Sequence, residues 1–417
     1  MIISVIFFLS ASMVFVIGVI SPILEEIGRS ENLISSKTTF YTAESGVEDA
    51  VYRLKNGLAI STPEMITLNN ATASTTVNTI SNGKQILSSG TVGDMYRNAA
   101  VTLNNGVGIA FFYGVQVGAG GITLNNSSSI VGSVYSNGRV VGSGGNLIKG
   151  DVISAGAGGV AQNIHATGTV RAHTIQNVWA EKDAYYQNIY TSSVSGTLYP
   201  GSADQPAIDL PITDTQITDW ETAAAAGTAI SSPCPYDKSS GTVTLGPAVI
   251  NCDLNLSNSA TLVLTGPVWV KGSISIANSA IVKVSDTLGS QSAPLIAHDP
   301  ANTSSGSKIT ISNSSSFQGS GDINSYVLLV SQNNSAEQMG GYKAITISNN
   351  NVSGQILLYA GHGEIELSNS ANVREVTAYK MTLNNSAQVN YQTGLANLLF
   401  SSGPSGGYTI GSWKEGQ

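Results

Sequence analysis

The chain is poor in charged residues, in aromatic residues and in cysteine. Of its 417 residues, 11% are charged and 7% aromatic, and two are cysteines. Acidic residues outnumber basic ones by 26 to 18, a net charge of −8, which argues against nucleic-acid binding. Because 41% of the residues are hydrophobic, this shortage of charge does not indicate disorder, which combines low hydrophobicity with high charge. We expect a folded chain that binds no nucleic acid.

Patterns typical of catalysis and metal binding are also missing. The histidines lack ligand spacing, and the acids at 204, 209, 214 and 219 do not match a calcium loop. Gly361-His362-Gly363 resembles a polygalacturonase tripeptide, but the carboxylate pair that such enzymes need is absent. Glu364 and Glu366 are the nearest acids, and we expect them on a solvated strand face. The sequence predicts no enzyme, no metal and no cofactor.

The first twenty residues contain no charge. A helix of that length spans about 30 Å, the thickness of a bilayer core, so the sequence predicts a transmembrane or filament-core segment over residues 1–21. A cleaved signal peptide would have a basic start, a shorter apolar run and a small-residue cleavage site. Glu25 and Glu26 follow the run instead. We therefore expect the segment to stay part of the molecule, within a long helix over residues 1–60.

The helical pattern continues after Pro22. Apolar residues recur at three- and four-residue steps from Phe40 through Val47 and Val51 to Leu54. A proline inside a helix removes one backbone hydrogen bond and bends the helix without ending it. The sequence predicts a long helix, apolar in its first half and amphipathic in its second.

This region resembles the N-terminal helix of type IV pilin-like proteins, in particular PilX-like minor pilins and pseudopilins. The resemblance covers about residues 1 to 60 and is carried by the apolar run, by Pro22, and by the segment Phe40-Tyr41-Thr42-Ala43-Glu44-Ser45-Gly46-Val47-Glu48-Asp49-Ala50. It implies an assembly helix that sits in the cytoplasmic membrane and is then packed with its copies into a filament core. The implied assembly residues are Val5, Pro22, Phe40, Glu44, Val47, Val51 and Leu54.

Val5 departs from the resemblance. Most major pilins carry Glu at the fifth mature position, where it is thought to neutralise a neighbour's N-terminal amine. Burying an unpaired ammonium among apolar helices is costly. Either the subunit sits at a filament tip, where the amine stays in water, or its lineage neutralises the amine differently.

The rest of the chain is rich in Gly, Ser, Thr and Asn, with apolar residues at alternate positions, as from 262 to 284. A motif of Leu or Ile, any residue, Asn, Ser and a small residue recurs at steps of about 16 to 36 residues, one or two coils of a β-solenoid. Its asparagines are Asn258, Asn278, Asn313, Asn369 and Asn385, and looser copies of the motif begin at Leu68, Leu103, Leu124 and Ile347. Asn tolerates left-handed backbone angles, and its amide can bond to the copies in neighbouring coils. The pattern favours a parallel β-helix with an asparagine ladder over an antiparallel sandwich or a carbohydrate-binding ladder.

The expected organisation after the helix has four parts. Residues 61–178 are a first solenoid portion, 179–240 an insertion, 241–392 a second solenoid portion, and 393–417 a C-terminal cap. The insertion is rich in Trp, Tyr and Pro and contains a short helix that starts at Thr213 or Asp214. It is read as a packed cap, with an aromatic ligand platform as the alternative.

Cys234 and Cys252 flank a strand-like segment. In an exported chain two cysteines most often pair, and two cysteines alone do not make a zinc site. We expect a disulfide, with a buried free thiol as the alternative.

The sequence as a whole predicts a structural subunit of a type IV pilus-like extracellular filament, with a β-helical head that serves adhesion. Its expected partners are copies of itself or other pilins, the membrane before assembly, and a surface glycan or cell-surface ligand. The alternatives are a non-polymerising surface protein anchored by one transmembrane helix, and a polysaccharide-binding or polysaccharide-cleaving β-helix.

Overall fold

The computed structural model describes residues 2–55, 60–61, 63–80, 83–105, 109–348, 352–392, 395, 398–400 and 408–416. Of residues 17, 19, 21, 55, 79, 83, 104, 105, 353, 408, 409 and 416 it describes the backbone alone. The chain forms two compact units. The helix–sheet unit comprises Met1–Gly106 and Tyr408–Gln417, and the stacked unit comprises Val107–Gly407.

The helix–sheet unit begins with helix α1, Ile2–Lys55. Four strands follow it: β1 Glu64–Leu68, β2 Ala71–Ile80, β3 Gly83–Val92 and β4 Met95–Asn105. Each strand pairs antiparallel with the next. Asn69 and Gly93 take φ angles of 56° in the tight connections after β1 and β3, the backbone conformation that two-residue hairpins need.

This sheet differs from the expected first solenoid portion, which began at residue 61. The local repeats at Leu68 and Leu103 match the solenoid motif, but their strands are joined by tight hairpins, and hairpins produce antiparallel pairing. The core of the unit lies between α1 and the sheet. It contains Ala43, Val47, Ala50, Ile86, Ala99, Val101 and Leu103.

The prediction of a transmembrane helix is wrong. Among the described residues, no helix combines the length and the apolar character needed to cross a membrane. Serine hydroxyls of the N-terminal run bond within the helix: Ser10 donates to the carbonyls of Ile6 and Phe7, and Ser12 to that of Leu9. The predicted fold class is corrected on this point: α1 is a 54-residue helix in which the described residues form no membrane span.

The stacked unit consists mainly of short strands. Up to residue 200 these are β5 Val115–Leu124, β6 Ser129–Val131, β7 Val134–Ser136, β8 Val140–Lys149, β9 Val152–Ser154, β10 Val160–Ala166, β11 Val170–Ala172, β12 Thr174–Gln176, β13 Trp179–Ala180, β14 Ala184–Tyr186, β15 Asn188–Tyr190, β16 Ser193–Val194 and β17 Leu198–Pro200. Helix α2, Asp214–Ala225, follows, with a capping box between Thr213 and Gln216.

The remaining strands run from residue 228 to the C-terminal region. They are β18 Thr228–Ile230, β19 Tyr236–Lys238, β20 Thr242–Leu245, β21 Ala248–Ile250, β22 Leu254–Leu256, β23 Thr261–Leu264, β24 Val268–Val270, β25 Ile274–Ile276, β26 Ile281–Val284, β27 Gln291–Ala297, β28 Ile309–Ser312, β29 Ser316–Gln318, β30 Val327–Ser331, β31 Ile345–Ser348, β32 Ser353–Gly354, β33 Ile356–Leu367, β34 Asn372–Val373, β35 Glu375–Leu383, β36 Gln388–Asn390, β37 Leu399–Phe400 and β38 Tyr408–Gly416. A 3-10 turn covers Asp286–Leu288.

The paired strands of the stacked unit run parallel, coil upon coil. One column of inward-facing side chains shows the register from coil to coil: Tyr236, Leu254, Ile274, Ile309, Ile345, Ile365, Met381, Ile122, Val140, Ala161, Ile175 and Ile189. Each coil covers the apolar face of its neighbour, so the core is one continuous column.

The order of coils in space differs from their order in the sequence. The chain enters the stack in the middle, at β5, and winds out to one end at β17. After α2 it resumes at the opposite end with β18 and winds back until β35 pairs with β5. The returning segment is held along the stack by side chains: Asn137 donates to the carbonyl of Ile208 at 2.7 Å and Gln116 to that of Asp209 at 2.8 Å.

Two predicted boundaries change accordingly. The region 179–240 is not an insertion throughout, because β13 to β17 are coils of the stack and the return segment with α2 begins only after residue 200. The tail at 393–417 does not cap the stack as one piece. Leu395, Leu398 and Phe400 pack with Trp220 of α2, whereas β38 pairs antiparallel with β4 and covers an edge of the other sheet that would otherwise be unpaired.

Candidate functional site

The N-terminal half of α1 exposes apolar side chains in consecutive positions. Exposed fractions range from 51% to 83% for Ile2, Ile3, Val5, Ile6, Phe7, Phe8, Leu9, Met13, Val14, Phe15 and Val16. Successive residues of a helix point about 100° apart, so this surface is apolar on all sides. A helix that is apolar on all sides is normally buried against other apolar groups. The predicted residue Val5 belongs to this surface, and Pro22 lies inside the continuous helix.

A shallow groove of about 450 Å³ runs along this surface between Ser4, Val5, Phe8, Leu9 and Ser12. Ser4, Phe8 and Ser12 form one row at four-residue spacing, and Val5 and Leu9 form the neighbouring row. Rows at this spacing are the ridges between which another helix inserts its own side chains. The small serines keep the groove open.

The C-terminal half of α1 packs on the sheet. Val47 is fully buried, Val51 and Leu54 pack against the same cluster, and Phe40 and Glu44 are half-buried. The sequence resemblance implied assembly roles for these five residues. The structure places Val47, Val51 and Leu54 against the protein's own sheet.

Two glycines allow the close approach of α1 to the sheet. A Cβ atom on Gly90 would lie 2.1 Å from the carbonyl oxygen of Thr39 and 2.8 Å from the amide nitrogen of Ala43, both in the helix backbone. A Cβ atom on Gly46 would lie 2.4 Å from Ser88 Oγ. Ser88 is the acceptor of a buried hydrogen bond from Thr75 at 2.9 Å.

Polar contacts hold the same unit at its edges. Arg53 pairs with Asp49 at 2.6 Å along the helix and with Glu64 at 3.3 Å on β1. Arg97 on β4 bonds to Ser36 of α1 at 2.9 Å and to Glu415 of β38 at 3.0 Å. The helix, an inner strand and the C-terminal strand therefore meet at one arginine.

Cys234 and Cys252 form a disulfide with a Cα–Cα distance of 5.9 Å. Cys234 precedes β19 and Cys252 precedes β22, two strands that pair directly. The disulfide therefore links the first coil at the β18 end of the stack to the coil next to it.

The predicted ladder asparagines lie at one corner of the stack. Each has a positive φ, between 46° and 54°, and is followed by a serine in the same conformation. Asn278 donates to Asn258 at 3.4 Å and accepts from Asn313 at 2.9 Å. Asn385 donates to Asn369 at 3.1 Å, and Asn126 continues this second row to Asn385 at 3.0 Å. In the looser motif copy that begins at Ile347, residues 349–351 lie outside the described ranges.

Each histidine contacts a carboxylate, which sequence spacing did not indicate because the partners are distant in the chain. The pairs are His165 with Glu181 at 2.8 Å, His173 with Asp204 at 3.1 Å, and His298 with Glu221 at 2.6 Å. His362 bridges Asp214, at the start of α2, and Glu337. Burial lowers the pKa of His362, but its hydrogen bonds to the two acids outweigh this and raise the pKa above its ordinary value.

The prediction that Glu364 lies on a solvated strand face is wrong, because its side chain is buried. Lys343 lies 2.5 Å and Lys380 3.1 Å from its oxygens, and Thr382 donates to it at 2.8 Å. Burial acts to raise its pKa, and these hydrogen bonds overcome burial and lower it. The cluster is a compensated ion pair in the coil wall. No group of three or more His, Cys, Asp or Glu in the described ranges is arranged to hold a metal ion.

A second buried acid was not indicated by the sequence. Glu375 is fully buried at the start of β35, next to the strands where the two runs of coils meet. Burial raises its pKa well above the ordinary value, more than the hydrogen bond from Thr377 lowers it. Its neutral form is therefore favoured, which removes the cost of a buried charge.

Aromatic side chains stack along the outside of the coils near the β17 end. His165 and Trp179 lie 3.8 Å apart at an interplanar angle of 7°, and Tyr185 and Tyr199 lie 4.3 Å apart at 9°. The guanidinium of Arg171 lies 3.6 Å from the centre of the Tyr185 ring. These rows follow the parallel register, which places residues about 14 positions apart side by side.

Comparison with known proteins gives little further information. No protein-family model matches the chain, and no curated protein matches it in sequence. The competence-associated pilin ComZ from Thermus thermophilus is similar in structure with a TM-score of 0.35 and 12% identity, over 91% of this chain and 97% of that chain. This likeness to a pilin is weak.

Proposed function

We propose that the protein is a structural subunit of a type IV pilus-like filament, in which the apolar half of α1 packs among the corresponding helices of other subunits. The observation that carries the proposal is the apolar surface at residues 2–16, which surrounds the helix and is exposed in the isolated chain. The proposed role is structural and not catalytic.

The shape of the exposed surface favours a bundle of several helices. A dimer would cover one stripe of a helix and leave the opposite side in water. Here Phe7, Phe8 and Leu9 are adjacent in the sequence, point in three directions and are 64% to 78% exposed. Covering all three requires several neighbouring helices, as in a filament core.

The second half of the same helix supports a subunit that carries a head. From Thr39 onward α1 is held by its sheet through the buried cluster and the close contact at Gly90. One rigid helix therefore joins an assembly segment to a folded unit. The stacked unit would then be displayed at the filament surface, outside the cell.

Val5 bears on the position in the filament. It lies in an apolar surface over residues 2–16 that contains no carboxylate, so an amine buried beside this surface in a shaft would need another partner. In a tip subunit the amine stays in water and needs no partner. In a shaft subunit a different group must neutralise the amine. The amount of protein in the filaments distinguishes the two positions.

The test uses the cells that produce the protein. Sheared surface filaments are imaged by electron microscopy, and the protein is quantified in that fraction by mass spectrometry. The variant Leu9→Asp places a charge in the apolar groove, and the control Asn32→Asp places the same group on the polar part of the same helix. We expect Leu9→Asp to be lost from filaments and Asn32→Asp to remain at the wild-type amount.

The outcomes separate the alternatives. Abundant wild-type protein in filaments indicates a shaft subunit, and a trace at filament ends indicates a tip subunit. Absence of the wild-type protein from filaments contradicts the proposal, as does incorporation of Leu9→Asp at the wild-type amount.

A further inference from the structure

We infer that the end of the stacked unit formed by β15, β16 and β17 binds a neutral glycan, whose sugar rings stack on the open faces of Tyr199 and Trp179. The inference concerns the head alone and does not depend on filament assembly.

Tyr199 presents a pre-oriented ring at this end. One face of the ring stacks on Tyr185, which in turn carries Arg171 on its other side. Tyr199 lies on β17, and among the described strands β17 pairs with β14 alone. Because the stacked rings follow the stack direction, the second face of Tyr199 points past the last coil. The residue is 39% exposed.

Trp179 provides a second open ring on another side of the same end. Its indole stacks on His165 of the preceding coil, and its register partner in the following coil is Ser193. A serine is too small to cover an indole, and Trp179 is 49% exposed. Its outer face is therefore free for a flat ligand.

The end itself lacks a cover in the described residues. Leu198 faces along the inward column of Ala184 and yet is 49% exposed, and Tyr190 is 54% exposed. The backbone groups on the outer side of β15, β16 and β17 have no strand to pair with in the described part of the chain. A ligand with apolar faces would cover these exposed side chains, and its hydroxyl groups would hydrogen-bond to the unpaired backbone groups.

The chemistry at this end favours a neutral sugar. An aromatic face is electron-rich and attracts the C–H bonds on the flat side of a pyranose ring. The nearby carboxylates Glu181, Asp183 and Asp204 outnumber the cations Arg171 and Lys182, which disfavours an anionic polymer. Both rings are held by stacking before a ligand arrives, so little side-chain entropy is lost on binding.

The experiment measures binding by the full-length chain, purified in mild detergent as the Leu9→Asp variant so that filament assembly plays no part. The probes are cellohexaose, chitohexaose and mannohexaose, with polygalacturonate as the anionic probe, followed by isothermal titration calorimetry and by tryptophan fluorescence. We expect at least one neutral hexasaccharide to bind, and Tyr199→Ala and Trp179→Ala each to weaken it about tenfold. Trp179→Phe should retain most of the affinity, and Tyr342→Ala, which removes a tyrosine 53% exposed elsewhere on the unit, should leave it unchanged.

Several results would overturn the inference. These are no binding of any neutral hexasaccharide, undiminished binding by both alanine variants, or binding of polygalacturonate alone. Concentration-dependent self-association that Tyr199→Ala abolishes, without glycan binding, would assign this end to a second copy of the chain and would also overturn it. Because assembly is disabled throughout, none of these results bears on the proposed filament role.

Discussion

Replacing Gly90 with alanine should push α1 outward from its sheet and loosen the packing between them. The new Cβ atom would lie 2.1 Å from the Thr39 carbonyl oxygen and 2.8 Å from the Ala43 amide nitrogen. Both atoms belong to the helix backbone, so no side-chain rotation relieves the overlap. The helix must move outward by about 1 Å to restore normal contact distances, which loosens the buried packing of Ala43 and Val47 against Ile86.

Overpacking of a well-packed core costs about 1 to 3 kcal/mol, and we expect the upper end because the obstacle is backbone. A loss of about 3 kcal/mol corresponds to roughly a hundredfold increase in the opening equilibrium. Hydrogen–deuterium exchange of the full-length chain, resolved by mass spectrometry, should show faster exchange by about this factor in β3 and in residues 39–50, with the stacked unit unchanged.

Gly28→Ala is the matched control. A Cβ atom there meets nothing within 4 Å, and alanine is favoured over glycine in helices by about 1 kcal/mol. This variant should exchange at the wild-type rate or more slowly. Wild-type exchange in Gly90→Ala would show that the helix does not lie as close to the sheet as described, and the reasoning about its docking would fail.

Three further predictions concern the stacked unit. The pKa of His362 is raised in the fold, so its contribution to stability is fully present below its unfolded pKa and is lost as pH rises through the folded pKa. In thermal unfolding, the stability difference between wild type and His362→Ala should therefore be larger at pH 5 than at pH 9. A pH-independent difference would refute the link with Asp214 and Glu337. The double variant Cys234→Ser/Cys252→Ser opens a loop with a sequence separation of 18, which on the loop-entropy model costs about 3 kcal/mol; exchange should accelerate in β18 to β20, while equal acceleration at β15 to β17 would argue against a local effect. Asn278→Gly removes the hydrogen bonds of the side-chain amide but keeps a residue that tolerates the φ of 54°, whereas Asn278→Ala removes these hydrogen bonds and also strains the backbone. In urea unfolding we expect the alanine variant to be about 1 kcal/mol less stable than the glycine variant. Equal stabilities would mean that backbone strain is not the reason for Asn at this corner.

The local sequence pattern was sufficient to predict several features of the structure. The helical periodicity from Phe40 to Leu54 predicted the face that Val47 buries, and the N-cap at Thr213 followed from short-range chemistry. The predicted membrane span did not hold, since no helix among the described residues is long and apolar enough to cross a membrane. The histidine partners could not be found from spacing for another reason: Asp214 of α2 and His362 of β33 are in contact although they lie 148 residues apart in the sequence.

The sequence by itself determined which residues face inward in the strands that alternate apolar and polar side chains, because this alternation has a period of two whatever the strand pairs with. In β27 and β30, which are buried on both faces, the alternation is absent. The sequence also determined the left-handed corners, since Asn and Ser accept that conformation locally. The tertiary structure alone decided which strands are neighbours. Similar motifs at Leu68 and Leu124 entered an antiparallel sheet and a parallel stack, and β35 closed onto β5 across more than 250 residues. Pairing depends on which apolar face is available to cover another, and that is a property of the assembled core and not of any single segment.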